Sequence, residues 1–279
     1  MNKLPDSAAH PQSALLDDLR RRIRTLEQMQ TIGRAPARRW LFGIDAIDDL
    51  IAPADRAGLD TAALHEVKPA ADAAAPAASC RAAALGFALA LAARLDAGDT
   101  PAAPILWCTA RTHAHETGHC HGPGLAAFGI DPARLIVVEA GRADEVLWAL
   151  EEGVSSGAVA LVVGLLDTVP ATPARRLTLA TAAHATPCLV ITHPARPAAT
   201  TAATRWRVAP APSAPHPFAA SSPGAPRLAV HLERCRARPL ALAERTIHME
   251  WCDATFRFRV AAGPGDRAAR PRLAATRAG

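Results

Sequence analysis

Short apolar segments alternate with helical segments through the middle of this chain, and this alternation restricts the fold more than any other feature. Five apolar runs predict strands, at 63–67, 105–110, 135–139, 159–164 and 188–192. Apolar spacing and proline placement predict helices between them, at 80–95, 144–155 and 173–184. Since the run at 159–164 is apolar throughout, helices should cover both faces of a parallel sheet. The chain therefore predicts an α/β domain with three layers and a mostly parallel sheet.

The segments outside this core differ from it in composition, and they divide the chain into four parts. We predict an N-terminal amphipathic helix and linker at 1–39, the core at 40–193, a Pro/Ala-rich linker with a basic strand region at 194–262, and a disordered tail at 263–279. Within the third part, 227–232 and 255–260 read as strands and are compatible with a terminal hairpin at the sheet edge. We also expect the core to stay folded when 205–279 is removed.

Two groups of side chains are candidate partner interfaces. The first is an apolar stripe at helical spacing, formed by Leu16, Leu19, Ile23 and Leu26. This stripe docks either on the chain's own body or on a neighbouring subunit or partner. The second group combines arginines and tryptophans of the last quarter of the chain: Arg205, Trp206, Arg207, Arg234, Arg236, Trp251, Arg257 and Arg259.

The last quarter is strongly basic, and its charge favours an acidic partner. Residues 205–279 hold 13 arginines and 5 acidic residues, whereas the whole chain carries a formal charge of only +5. Arginine beside tryptophan is typical of protein interfaces, and it also grips phosphates and stacks on bases in nucleic-acid sites. A third interpretation is a charged edge strand that resists aggregation. The residues alone do not decide between these three interpretations of the basic last quarter.

The turn after the first core strand lies where a phosphate-binding loop would stand. Such a loop needs glycines whose N–H groups wrap the phosphates, a lysine, and a Ser or Thr for magnesium. Residues 68–80 contain no glycine, their only lysine is Lys68 at the strand end, and no GK[ST] string occurs in the chain. The acid that would end the strand at 159–164 is displaced to Asp167. We therefore predict a degenerate phosphate loop with no cofactor, and an active ATPase is the alternative.

A histidine-rich string, His115-Glu-Thr-Gly-His119, matches the HExxH pattern of zinc proteases. That chemistry needs both histidines on one helical face, and Gly118 lies inside the motif while Gly122-Pro123-Gly124 follows it. We therefore predict a solvated loop, a chance match, no metal site and no catalytic residue. Adventitious metal binding by this loop is the alternative.

Apolar segments, the N-terminal residues and the cysteines indicate where in the cell the protein acts. No apolar run reaches the roughly 18–20 residues that span a bilayer, so we expect no membrane partner. The first residues lack the basic and apolar regions of a secretory leader. The six cysteines contain no CxxC spacing, which predicts reduced, structural thiols in a cytoplasmic protein.

Several strings, read together and in order, resemble one known family. They are Phe42-Gly-Ile-Asp-Ala-Ile-Asp48, Leu64-His-Glu-Val67, Gly122-Pro-Gly-Leu-Ala-Ala-Phe-Gly-Ile-Asp-Pro132, Leu147-Trp-Ala-Leu-Glu-Glu152, Arg175-Arg-Leu-Thr-Leu-Ala180 and Thr204-Arg-Trp-Arg-Val208 with Ser213. The set resembles the ImuA family of bacterial DNA-damage-inducible mutagenesis proteins, which are RecA-like but not recombinases.

The resemblance implies a RecA-like α/β core and a non-catalytic adaptor in SOS mutagenesis. Such an adaptor works with ImuB, a Y-family polymerase-like protein, and with an error-prone C-family DNA polymerase in translesion synthesis. RecA itself and a second copy of the chain are further expected partners, DNA is contacted indirectly, and the protein is cytoplasmic and joins the nucleoid after DNA damage. The alternative functions are an active RecA-like ATPase and a direct single-stranded DNA-binding repair factor.

Overall fold

A single large sheet organises the fold. The computed structural model describes residues 39–51, 57–70, 75–95, 103–192, 200–216, 218–238 and 246–261. The predicted apolar stripe of Leu16, Leu19, Ile23 and Leu26 lies outside these residues. The predicted tail at 263–279 lies outside them as well.

Between residues 63 and 192 the strands and helices alternate as the sequence predicts, and further strands precede and follow this part. The strands are β1 Arg39–Trp40, β2 Leu59–Asp60, β3 Leu64–Pro69, β4 Ile105–Ala110, β5 Leu135–Ala140, β6 Leu161–Leu166, β7 Cys188–Thr192, β8 Thr204–Ala211, β9 Pro215–His216, β10 Ala219–Pro223, β11 Arg227–Cys235, β12 Thr246–Cys252 and β13 Arg257–Val260. The helices are α1 Asp45–Ile51, α2 Ala77–Leu95, α3 Arg111–Thr117, α4 Gly122–Ala126, α5 Ala143–Ser156 and α6 Ala171–His184, with a 3₁₀ turn at Pro132–Arg134.

Within the described residues, nine strands form one sheet in the order β5-β4-β6-β7-β3-β8-β11-β12-β13. Neighbours from β5 to β8 are parallel, and β11, β12 and β13 continue the sheet antiparallel. The predicted α/β class with a mostly parallel sheet is confirmed. This architecture is compatible with a RecA-like three-layer fold.

Helices cover both faces of the parallel half, because successive strand residues point to opposite sides. On β4, Trp107 joins the core cluster that contains α2, whereas Leu106 and Cys108 join the cluster that contains α5 and α6. The fully apolar β6 divides in the same way, with Val163 on the α2 side and Val162 on the other. The predicted three layers follow from this alternation.

Helix α2 departs from one expectation. Its 19 residues have a mean hydropathy of 1.4, so by length and composition alone the helix could cross a membrane. The expectation that the chain contains no apolar segment long enough to span a bilayer was therefore wrong. Half of this apolar stretch is buried inside the fold. Phe87 and Leu91 are fully buried against the sheet, and the indole Nε1 of Trp40 donates a hydrogen bond to the carbonyl oxygen of Leu91.

The C-terminal strands differ most from the sequence prediction. The segment at 204–211 was expected to be a linker, but it forms β8 beside β3 in the middle of the sheet. The segments at 227–232 and 255–260 were read as a possible hairpin, but β12 lies between β11 and β13. The alternation of Arg205 and Arg207 with buried Trp206 fits a half-buried strand, and the Pro/Ala/Ser-rich surroundings obscured it.

Aromatic rings tie the C-terminal strands to the rest of the core. The ring of Phe42 lies 5.3 Å from Trp206 and 5.8 Å from Phe258, measured between centroids, and Phe87 of α2 lies 5.6 Å from Trp206. Trp206 is fully buried and Phe258 is only 3% exposed. Removing 205–279 would take these rings out of the core, so from the structure we expect this deletion to unfold the core, contrary to the expectation from the sequence.

We predict that Phe258→Ala lowers the free energy of unfolding by about 3–5 kcal/mol, because it leaves a cavity among buried rings. Phe218→Ala is the matched control, since the Phe218 ring is 94% exposed, and we expect it to change stability by less than about 0.5 kcal/mol. Urea unfolding followed by circular dichroism measures both. Equal effects of the two substitutions would contradict a C-terminal strand built into the core.

A buried hydrogen-bond chain joins β3 to β8. The Nδ1 atom of His65 lies 2.8 Å from Oγ1 of Thr204, and Nε2 lies 2.8 Å from the carbonyl oxygen of Asp60. Nε1 of Trp206 donates to the same Thr204 hydroxyl over 2.9 Å. Both ring nitrogens of His65 and the Thr204 hydroxyl have hydrogen-bond partners. The imidazole is therefore stable as a neutral group, with Nε2–H as the donor to the carbonyl oxygen of Asp60.

Burial lowers the pKa of His65 below its ordinary value of 6.5, and the carbonyl and charge of Asp60 oppose this only partly. The unfolded chain therefore binds a proton more readily than the folded protein, and stability should fall as the pH drops below about 6.5. We predict that His65→Gln flattens the slope of unfolding free energy against pH between pH 7.5 and 5.5, relative to the unchanged protein. The exposed His184→Gln is the control, and it should keep the parental slope. Equal slopes in all three proteins would contradict this assignment.

Candidate functional site

The carboxyl edge of the parallel strands is where open α/β sheets bind ligands. At this edge β3 leads towards α2, the position at which a phosphate loop would stand, and residues 71–74 of that turn lie outside the described residues. Lys68 lies on β3 before the turn and on the opposite face of the sheet from α2, because the alternating Val67 faces α2. Its Nζ atom is 2.8 Å from Oε2 of Glu233 on β11, which lies two strands from β3 in the sheet. The amine therefore points across the sheet and away from the turn that leads to α2.

A cleft of about 310 Å³ opens at the same edge, between α2, α3 and the ends of β6 and β7. Its walls are mostly apolar and include Leu85, Leu165 and Ile191. Arg81, His113 and Glu116 supply its ionisable groups.

The histidine-rich string is partly helical, so the predicted solvated loop was wrong for 111–117, which form α3. The helix ends at Thr117, and Gly118 follows with a φ of 89°, in the left-handed region. His115 and His119 therefore do not share a helical face, and Nδ1 of His119 lies 2.6 Å from Oε1 of Glu139 instead. In the part of the chain that the structure describes, no group of three or more His, Cys, Asp or Glu side chains could hold a metal ion.

All six cysteines are free thiols, as predicted. Burial raises the pKa of Cys108 to about 12, and burial with the charge of Glu139 raises that of Cys120 to about 11. The thiols of Cys108 and Cys120 are therefore protonated at neutral pH. They pack as small apolar groups.

The predicted arginine and tryptophan group separates into core and surface residues. Trp206 is 0% exposed and Trp251 is 5% exposed, so both indoles lie in the core and not on the surface. Arg205 and Arg207 belong to ion pairs within the sheet, with Glu66 and Glu233. The other four predicted residues are exposed: Arg234, Arg236, Arg257 and Arg259.

Glu66 and Arg205 form the most buried ion pair of the described residues. Nε of Arg205 donates to Oε2 of Glu66 over 2.8 Å, and the two side chains are only 15% and 10% exposed. The hydroxyl of Thr192 on β7 donates to the second oxygen of Glu66 over 3.0 Å. This carboxylate thus connects three neighbouring strands, and the sequence contained no signal for it because its partners lie more than a hundred residues away.

Arg234 and Arg236 sit where β11 ends, beside the start of β8. Their guanidinium groups donate to the carbonyl oxygens of Thr200 and Thr201, each over 2.6 Å. Burial lowers the pKa of Arg234, and the nearby charges of Arg236 and Arg205 add to that shift. These residues form one basic group on the protein.

Arg257 and Arg259 form a second basic group on β13, the last strand of the sheet. They alternate with the buried Phe258, and both are exposed. Burial lowers the pKa of Arg94 on α2, and the charge of Arg257 adds to this, which places the two guanidinium groups close together. The β13 edge therefore presents clustered positive charge to solvent.

Comparison with known proteins found no matching family model. Protein ImuA from two strains of Caulobacter vibrioides is 36% identical over 124 residues, which cover 41% of this chain and 50% of each relative. The chain is similar to ImuA. The predicted resemblance is confirmed over this stretch, and the chain spans about half the length of the curated relatives it matches.

Two of the ImuA-like strings meet in the fold as adjacent parallel strands. Leu64-His-Glu-Val67 lies in β3, and Thr204-Arg-Trp-Arg-Val208 lies in β8. Their polar residues pair in register, His65 with Thr204 and Glu66 with Arg205. These residues of the ImuA-like strings therefore hold the sheet together.

We predict that Arg205→Ala lowers the free energy of unfolding by about 3 kcal/mol, since it leaves the buried Glu66 carboxylate without its charge partner. Arg259→Ala removes the same charge from an exposed position and should change stability by less than about 0.5 kcal/mol. Thermal and urea unfolding test both variants. A stable Arg205→Ala variant would show that the Glu66–Arg205 pair does not support the sheet.

Proposed function

We propose that this protein is a non-catalytic adaptor of damage-induced mutagenesis. It binds an ImuB-type, Y-family polymerase-like protein and brings it to an error-prone C-family DNA polymerase during translesion synthesis. RecA is a further partner, and DNA is reached through these proteins. The adaptor acts in the cytoplasm and joins the nucleoid after DNA damage.

The similarity to Protein ImuA is the observation that carries this proposal. It covers 124 residues, and the strings that the sequence shares with the ImuA family extend over the helices and strands of the sheet. A bacterial mutagenesis role follows from this similarity more directly than from any single side chain.

The absence of catalysis is supported by the charges at the sheet's carboxyl edge. In the proposed RecA-like core with its degenerate phosphate loop, a lysine would have to reach the turn between β3 and α2. Lys68 is one of only two lysines in the chain, the other being Lys3, and its amine is bound to Glu233. A protein without this phosphate contact would act by presenting surfaces.

The β13 edge is the surface we assign to the polymerase-like partner. Arg257 and Arg259 are exposed and carry no ion pair within the described residues, and the charge of Arg257 acts on Arg94. An acidic segment of the partner would gain charge-assisted hydrogen bonds from these guanidinium groups without disturbing the core. The buried Arg205 and the paired Arg207 take no part in this contact.

We predict that Arg257→Ala/Arg259→Ala reduces co-purification of the ImuB-type protein from damaged cells at least about tenfold, because each lost charge-assisted contact contributes about 1.5–3 kcal/mol. The control is Arg111→Ala/Arg142→Ala, which removes the same charge from exposed positions outside the C-terminal strands. Circular dichroism confirms that both variants are folded. Undiminished co-purification of the Arg257/Arg259 variant would contradict this surface assignment.

Nucleotide and oligonucleotide titrations separate the adaptor from its alternatives. Tight, magnesium-dependent ATP binding with hydrolysis stimulated by single-stranded DNA would replace the adaptor with a RecA-like ATPase. Oligonucleotide binding with a steep salt dependence, in the absence of any partner, would replace it with a direct DNA-binding factor. The adaptor predicts neither activity in the purified protein.

A further inference from the structure

The outer face of α5 and α6 carries two large apolar side chains that nothing in the described chain covers. Trp148 of α5 is 63% exposed and Leu179 of α6 is 61% exposed. Both helices bury their opposite sides against the sheet, through Val146, Leu150 and Leu177 among others. We call this surface the α5–α6 face.

An ion pair joins the two helices across the middle of this face. Nε of Arg176 donates to Oε1 of Glu151 over 3.0 Å. Helical spacing places Trp148 and Glu152, four residues apart, on the flank of α5 away from α6. The same spacing places Arg175 and Leu179 on the flank of α6 away from α5.

The two halves of the α5–α6 face have opposite charge. Helix α5 carries four acidic residues and no lysine or arginine, and helix α6 carries Arg175 and Arg176 and no acidic residue. Glu152 and Arg175 are exposed, and neither side chain has a hydrogen bond or ion pair with another described residue. Each half therefore offers one unpaired charge beside one exposed apolar side chain.

We propose that the α5–α6 face is a contact between two copies of this chain. A two-fold axis along the seam between the helices places α5 of one copy on α6 of the other, and the reverse. Glu152 then meets Arg175 of the second copy, and the Trp148 ring meets the apolar and cationic flank that holds Leu179 and Arg175. A surface that matches itself under this rotation is the requirement for a closed symmetric dimer.

The size of the face sets the strength of this contact. Each helix has 14 residues and is about 21 Å long. With the helices roughly 10 Å apart, the face covers on the order of 400 Å² per copy, about half of the roughly 800 Å² per partner of a stable interface, which is the size of a transient contact. The dimer should therefore be weak and depend on concentration. This inference goes beyond the adaptor proposal and does not rest on it.

Analytical ultracentrifugation of the full chain tests the contact. We expect a reversible monomer–dimer equilibrium, and we expect Glu152→Arg and Arg175→Glu each to weaken it at least about tenfold, because each places like charges opposite one another. The two substitutions together should restore association to within about threefold of the parent protein, because the pair is re-formed with its charges exchanged. Both reversals suit the helix dipole, with a cation near the end of α5 and an anion near the start of α6.

Two further variants complete the test. Trp148→Ala should weaken the dimer, whereas Phe218→Ala removes an aromatic ring that is 94% exposed elsewhere and should leave it unchanged. The proposal is overturned if the parent chain stays monomeric up to near-millimolar concentration, or if it dimerises and Trp148→Ala has no effect. It is also overturned if the combined charge exchange associates no better than the single variants.

Discussion

The parallel pairing of β3 with β8 is the interaction on which the rest of this structure depends. It joins the alternating α/β half of the sheet to the antiparallel C-terminal strands, and it does so with buried polar groups as well as backbone hydrogen bonds. His65 bonds to Thr204, and Glu66 binds Arg205 and Thr192. Since an unpartnered polar group at this depth would be costly, the pairs restrict β3 and β8 to one register.

The pairing of β3 with β8 also determines which basic side chains stay exposed and available to bind a partner. Glu66 and Glu233 form ion pairs with three cations of the sheet, namely Arg205, Lys68 and Arg207. Among the arginines of the C-terminal strands, the exposed ones lie at the end of β11 and on β13, where they meet solvent. The positive charge of the C-terminal strands is therefore confined to two small surfaces, one at the end of β11 and one on β13.

The sequence predicted the parallel core well because its signals are local. Each apolar run of β4, β6 and β7 is bounded within a few residues, and a strand covered on both faces is recognisable from composition alone. The C-terminal half was harder to predict, because β8 alternates arginine with tryptophan inside a Pro/Ala-rich stretch. The same alternation suits an exposed interface and a half-buried strand, so Trp206 and Arg205 were assigned to a surface that the fold does not give them.

The sequence by itself determined the α/β class, the mostly parallel sheet and the resemblance to ImuA, because apolar spacing and ordered short strings are properties of the linear chain. Only the tertiary structure decided which charges are free and which apolar groups are exposed. Glu66 and Arg205 are separated by 139 positions, and Glu151 and Arg176 by 25. Such pairs exist only after the sheet and its helices have assembled, since distance in space, and not spacing along the chain, decides whether two opposite charges neutralise each other.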